Sequence, residues 1–117
     1  MANPFVHVEL QTTDLKKAKT FYQKLFDWKL EDAPGGYTMI QVGEGTGGGM
    51  MTSPCPDVPS HWMAYVLVED VAAALKKAKS LGAEIKMEAT DVMGYGTMGL
   101  FKDPTGAHLA VWKPKKM

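Results

Sequence analysis

The chain is poor in cysteine, in net charge and in long apolar runs, and each shortage removes a class of protein. The single cysteine, Cys55, cannot close an internal disulfide, and no base or helix start stands beside it to activate the thiol. With Pro54 and Pro56 on either side it reads as a bystander in a stiff turn. The 13 basic and 13 acidic residues cancel, so no net field draws in nucleic acid; the one basic cluster, Lys113, Lys115 and Lys116, reads as a solubilising tail. No apolar window is long enough to span a bilayer, and Met1 to Leu10 carries no basic stretch followed by an apolar one. The expected setting is the cytoplasm, without nucleic-acid or membrane partners.

What the chain does have is the balance of a globular domain: 117 residues, 45% hydrophobic and 22% charged. Phe5 to Leu10 alternates like a half-buried strand, with Phe5, His7 and Glu9 on one face and Val6, Val8 and Leu10 on the other. Thr12, Thr13 and Asp14 then offer capping oxygens, and Leu15, Ala18, Phe21, Tyr22 and Leu25 fall at helical spacing up to about Phe26. Strands are expected at Trp28 to Glu31 and Tyr37 to Val42, around the turn Ala33-Pro34-Gly35-Gly36, and Met50-Met51-Thr52 follows a glycine-rich stretch. That stretch, Gly43 to Gly49, has no Lys-Ser or Lys-Thr after it and no long helix, so it reads as a flexible turn and not as a phosphate cradle.

The same order then begins again. Trp62 to Val68 is apolar and β-rich, Glu69-Asp70 opens a helix through Val71, Ala74, Leu75, Ala78 and Leu81, and Gly82 stops it. Strands at Ala83 to Met87, Thr97 to Phe101 and His108 to Trp112 complete the set, the last two joined by a tight Asp103-Pro104-Thr105-Gly106 turn. Aligning Asp14-Leu15 with Asp70-Val71 places Ala18 on Ala74, Leu25 on Leu81 and His7 on Met63; aligning Pro54 with Pro114 sets Met50 opposite Ala110. The register is that of an internal duplication.

Two strand-helix-strand-strand-strand units, the opening "TTDLKKAKTFYQKLFDWKL" and the closing "FKDPTGAHLAVWKP" resemble the vicinal oxygen chelate superfamily, which groups glyoxalases, bleomycin-resistance proteins and ring-cleaving dioxygenases. The likeness covers nearly the whole chain. It implies one α+β domain over residues 1–117, built from two βαβββ modules (4–54 and 61–114) whose mixed sheet forms a cup with helices outside. It also implies a homodimer, and ligands on the concave side of the first and last strands of each module, where metal-dependent members supply His or Glu. By the register above those positions are His7, Met50, Met63 and Ala110. Only His7 can bind a hard or borderline cation, because a thioether is too soft and alanine offers no donor.

Glu9, His61 and His108 share faces with the expected ligand positions, but residues two apart on a strand differ by about 6.6 Å in height. Such a set does not converge easily on one ion. The expectation is therefore a protein without a metal cofactor, with a divalent metal as the alternative. Its ligand wall is His7, Glu9, Met50, Met63, Tyr65, His108 and Trp112, with Tyr37, Tyr95 and Met98 nearby, and Trp62 and Trp112 are available for ring stacking. Three functions stay open: metal-independent binding or sequestration of a small organic molecule; a lyase, isomerase or dioxygenase using a metal or a catalytic His7/Glu9 acid-base pair; and a partner-binding module with a vestigial cup.

Overall fold

The protein is described by a computed structural model covering residues 2–53 and 57–115. The Cys55 turn, with Pro54 and Pro56, and the tail residue Lys116 lie outside the described residues. The chain forms two compact units, Val6–Met63 and a second made of Met1–Phe5 with Ala64–Met117. No helix among the described residues is long and apolar enough to cross a membrane.

The first unit contains β1 (Phe5–Thr12), α1 (Leu15–Leu25), β2 (Lys29–Ala33), β3 (Tyr37–Gln41) and β4 (Gly48–Thr52). The spatial order is β2-β3-β4-β1, with β1 and β4 parallel and the other pairs antiparallel. As the capping oxygens suggest, α1 begins where the Asp14 carboxylate accepts the Lys17 amide at 3.0 Å, a cap that contributes about 1 kcal/mol. It ends at Phe26, whose extended backbone leaves the helix while its amide still bonds the Tyr22 carbonyl. Leu15, Ala18 and Tyr22 recur on one face and pack on Leu10, Ile40 and Met50.

One detail of the glycine-rich stretch differs from expectation. Gly48 and Gly49 belong to β4, between β3 and β1, and not to a turn. The reason is steric: a Cβ at Gly48 would sit 2.0 Å from the Val8 carbonyl oxygen, so only glycine lets the two backbones approach this closely.

The second βαβββ repeat follows with β5 (His61–Leu67), α2 (Val71–Ser80), β6 (Glu84–Asp91), β7 (Gly96–Lys102) and β8 (His108–Pro114), in the order β5-β8-β7-β6. The Asp70 carboxylate caps α2 through the Ala73 amide at 3.0 Å, the counterpart of Asp14, and Gly82 at φ 102° turns the chain out of it. Val71 and Leu75 bury themselves against Val111, with Val68, Ile85 and Phe101 around them. Asp103 organises the β7–β8 turn by accepting bonds from the Thr105 amide, the Thr105 hydroxyl and the Ala107 amide. Asn3 and Pro4 tie the start of the chain to Leu67 of β5. β6 runs further than expected, to Asp91, because register shifts on either side of Met87 let it keep pairing with β7.

Candidate functional site

Strand alternation decides which side chains of β1 leave the helix face. Leu10 pairs with Met50 and lies in the core under α1, so its neighbours His7, Glu9 and Gln11 project from the opposite face. There they form one connected group with Tyr37. The Tyr37 hydroxyl donates to Glu9 Oε1 at 2.9 Å, and His7 Nε2 lies 2.6 Å from the same hydroxyl. Since the phenol has a single proton and spends it on Glu9, His7 is the donor to Tyr37 and carries its proton on Nε2. Gln11 Nε2 donates to the second carboxylate oxygen, Glu9 Oε2, at 2.9 Å.

This arrangement resolves an energetic problem. Glu9 is 5% exposed, and a carboxylate taken out of water is costly unless its oxygens are hydrogen-bonded. Tyr37 and Gln11 supply one such bond to each oxygen. Burial of His7 pushes its pKa below the ordinary histidine value, outweighing the upward pull of the Glu9 charge, so the imidazole is neutral at neutral pH. The His7 and Tyr37 rings stack with centroids 6.2 Å apart and an interplanar angle of 24°.

Gly49 makes the group possible. It pairs with Glu9 and Met39 on this face, and a Cβ there would lie 2.1 Å from the Tyr37 hydroxyl oxygen and 2.3 Å from two ring carbons. The phenol thus occupies the space that a side chain at 49 would take. Met50, expected on this face, is instead fully buried on the helix side with Leu10 and Ile40. The expected register was one residue off: Glu9 pairs with Gly49 as Tyr65 pairs with Ala110, so the residue matching Ala110 is Gly49 and not Met50.

The other expected wall residues distribute as follows. Met63 and Tyr65 are buried on β5, and Tyr65 meets Trp112 edge-on and reaches Met98 in the second unit. His108 is exposed at the start of β8, across from Lys102, and His61 bonds the Pro59 carbonyl through Nδ1 at 2.9 Å. Tyr95 is 62% exposed at the β6–β7 connection. Trp62 joins Tyr22 and Trp28 in an aromatic cluster beside α1 and donates to the Tyr22 hydroxyl at 3.4 Å. Two open surface grooves also run along α1, lined chiefly by lysines, Thr20 and Phe21, and they hold none of the His7 group. Gln11 and Gly49 were missed in the sequence, although Glu9-x-Gln11 on one strand face was a readable signal.

Among the described residues no three His, Cys, Asp or Glu side chains come together; His7 Nε2 and Glu9 Oε1 both meet the Tyr37 phenol, and Glu9 Oε2 accepts from Gln11. At the positions that the family resemblance singled out, Gly49, Met63 and Ala110 offer no hard donor.

The sequence profile of the Glyoxalase/Bleomycin resistance protein/Dioxygenase superfamily matches residues 5–111. The chain belongs to this superfamily. Among curated proteins it is similar to CFP32 of Mycobacterium tuberculosis, provisionally named a glyoxylase, at 37% identity over 93% of this chain and 45% of that protein. It is also similar to the anthracycline biosynthesis protein DnrV of Streptomyces peucetius, at 29% identity over 90% of this chain and 45% of that protein. The chain therefore spans just under half the length of these relatives. Among solved structures, a hypothetical protein of Bacillus halodurans aligns with TM-score 0.72 and 16% identity, covering 100% of this chain and 98% of the other. Methylmalonyl-CoA epimerase from M. tuberculosis aligns with TM-score 0.69 and 17% identity, covering 96% and 88%. Identities this low establish the shared fold of the superfamily and leave the chemistry to the site itself.

Proposed function

We propose that this chain binds a small organic molecule without a resident divalent metal, using the His7–Tyr37–Glu9 group as its polar anchor. The observation that carries the reading is the Tyr37 phenol lying on Gly49. It ties the histidine and the carboxylate to each other and engages His7, the one family ligand position that keeps a nitrogen donor. A neutral imidazole, a phenol and a braced carboxylate offer hydrogen bonds of fixed direction, which is how binding sites set the orientation of a ligand. The names of CFP32 and DnrV, which speak of small-molecule chemistry, support the same class.

The test uses protein purified without an affinity tag. The expected result is metal content well below one ion per chain, a melting temperature unmoved by a chelator, and an increase with at least one member of a small-molecule screen. Stoichiometric metal whose removal lowers the melting temperature overturns the reading. The proposal includes a homodimer, and a monomeric mass in light scattering at micromolar concentration removes that part.

The 2.6 Å approach of His7 to Tyr37 favours a second reading, acid-base catalysis in a lyase or isomerase. A neutral imidazole linked through a phenol to a carboxylate is equipped to accept and pass on a proton. Incorporation of solvent deuterium into a carbon acid, abolished in His7→Gln, is the result that this reading requires.

A further inference from the structure

In the second unit, Val111 and Phe101 face α2, so Trp112, Met98 and Tyr65, one residue out of phase, lie on the opposite side of the sheet. Trp112 stands directly across from Met98 on β7 and Leu67 on β5, and Met98 stands across from Thr90 on β6. This row from Thr90 to Leu67 holds no charged side chain.

The indole has an unusual seat. Its six-membered ring passes over Gly96, where a Cβ would come within 2.6 Å of Cζ2 and 2.8 Å of Cη2. A side chain at 96 would meet the Lys113 carbonyl oxygen at 2.5 Å as well as the ring, and glycine lets both the β8 backbone and the indole lie close to β7. Tyr65 braces it from one edge, with centroids 6.3 Å apart at 77°, and the Tyr65 hydroxyl in turn contacts Met98 Sδ at 3.8 Å. Tyr65 is almost fully buried, whereas Trp112 and Met98 keep part of their surface exposed. The first unit uses the same device, a ring laid on a strand glycine, at Tyr37 and Gly49; there the phenol oxygen is held in hydrogen bonds, while Trp112 is a partly exposed indole.

We infer that Trp112, braced by Tyr65 and Met98 within the second unit, is a stacking platform for an uncharged planar conjugated ring of a small molecule. This rests on the reading that the chain binds a small organic molecule, and it names the class of ring that this unit takes. An immobilised indole face costs little further entropy on binding and attracts a flat π system. The polarisable Met98 thioether beside it favours the same kind of ring.

The probes are 2-naphthol and its saturated counterpart decahydro-2-naphthol, titrated against the intact protein and followed by ligand-observed NMR. The expected result is 2-naphthol binding about tenfold more tightly than the saturated probe, affinity for 2-naphthol kept within about threefold in Trp112→Phe, and lost about tenfold in Trp112→Leu. Equal binding of the two probes, undiminished 2-naphthol binding to Trp112→Leu, or no saturable binding of 2-naphthol overturns the platform. The comparison of probes on the unaltered protein stands even if Trp112→Leu does not fold. Equal binding of both probes that weakens in Tyr37→Phe separates the two ideas: the binding reading then survives and the platform does not.

Discussion

Replacing Gly49 with alanine tests the geometry on which the site depends. The added Cβ would lie 2.1 to 2.3 Å from three atoms of Tyr37, well inside any tolerated contact, and the atoms in its way belong to the end of a rotatable side chain. The phenol is therefore the part that moves. Its displacement breaks one neutral bond, to His7, worth about 1 kcal/mol, and one bond to the buried Glu9 carboxylate, worth about 1.5–3 kcal/mol. Alanine returns about 0.5–1 kcal/mol by restricting the unfolded chain, which leaves a net loss of about 1.5–3.5 kcal/mol. At about 4 °C per kcal/mol for a domain of this size, the melting temperature should fall by about 6–14 °C in scanning calorimetry. The decisive comparison is Gly49→Ala in a Tyr37→Ala background. With the ring gone the clash is gone, and the same substitution should become neutral or stabilising by up to about 1 kcal/mol. An equal loss in both backgrounds refutes the argument, because the cost would then come from the β4 backbone and not from the phenol.

Two further outcomes follow from single residues. Burial holds the His7 pKa below its unfolded value of 6.5, so in the window between the two the unfolded chain binds a proton that the native chain does not. Stability to urea should accordingly be complete above that window, decline as pH falls through it and level off below the folded pKa; His7→Gln should flatten this part of the profile, and an unchanged slope would remove His7 as its cause. Met93 sits at φ 49° in the β6–β7 connection, beside Gly94 at φ 79°, where a side chain with no local hydrogen bond to offer is strained. Met93→Asn should raise stability by about 0.5–1 kcal/mol, read as a rise of a few degrees in melting temperature, and a fall would show that Met93 makes packing contacts that matter more than its backbone angle.

The helices were readable because their signals are local. Asp14 and Asp70 cap them through side-chain bonds spanning three residues, and the apolar spacing of Leu15, Ala18 and Tyr22 sets a face without reference to the rest of the chain. The Asp103 turn is of the same kind, since every bond it makes lies within four residues. The duplication could also be read, because two capped helices in equivalent places require no knowledge of packing. The first and last strands of the repeat were a different matter. Between Gly43 and Gly49 glycine gives no alternation to count, and a slip of one residue exchanged Met50 for Gly49 and with it the two faces of β4.

The amino-acid sequence by itself determined the order of elements, the caps, the two βαβββ units and the presence of His7 and Glu9 on a common strand face, since each depends on neighbours a few residues away. Only the tertiary structure decided that Tyr37, 28 residues from Glu9, would lie on Gly49 and join histidine to carboxylate, and that Trp112 would lie on Gly96. Both arrangements depend on the absence of a side chain on an adjacent strand, and the space left by a missing side chain acquires an occupant only when pairing brings another strand alongside it.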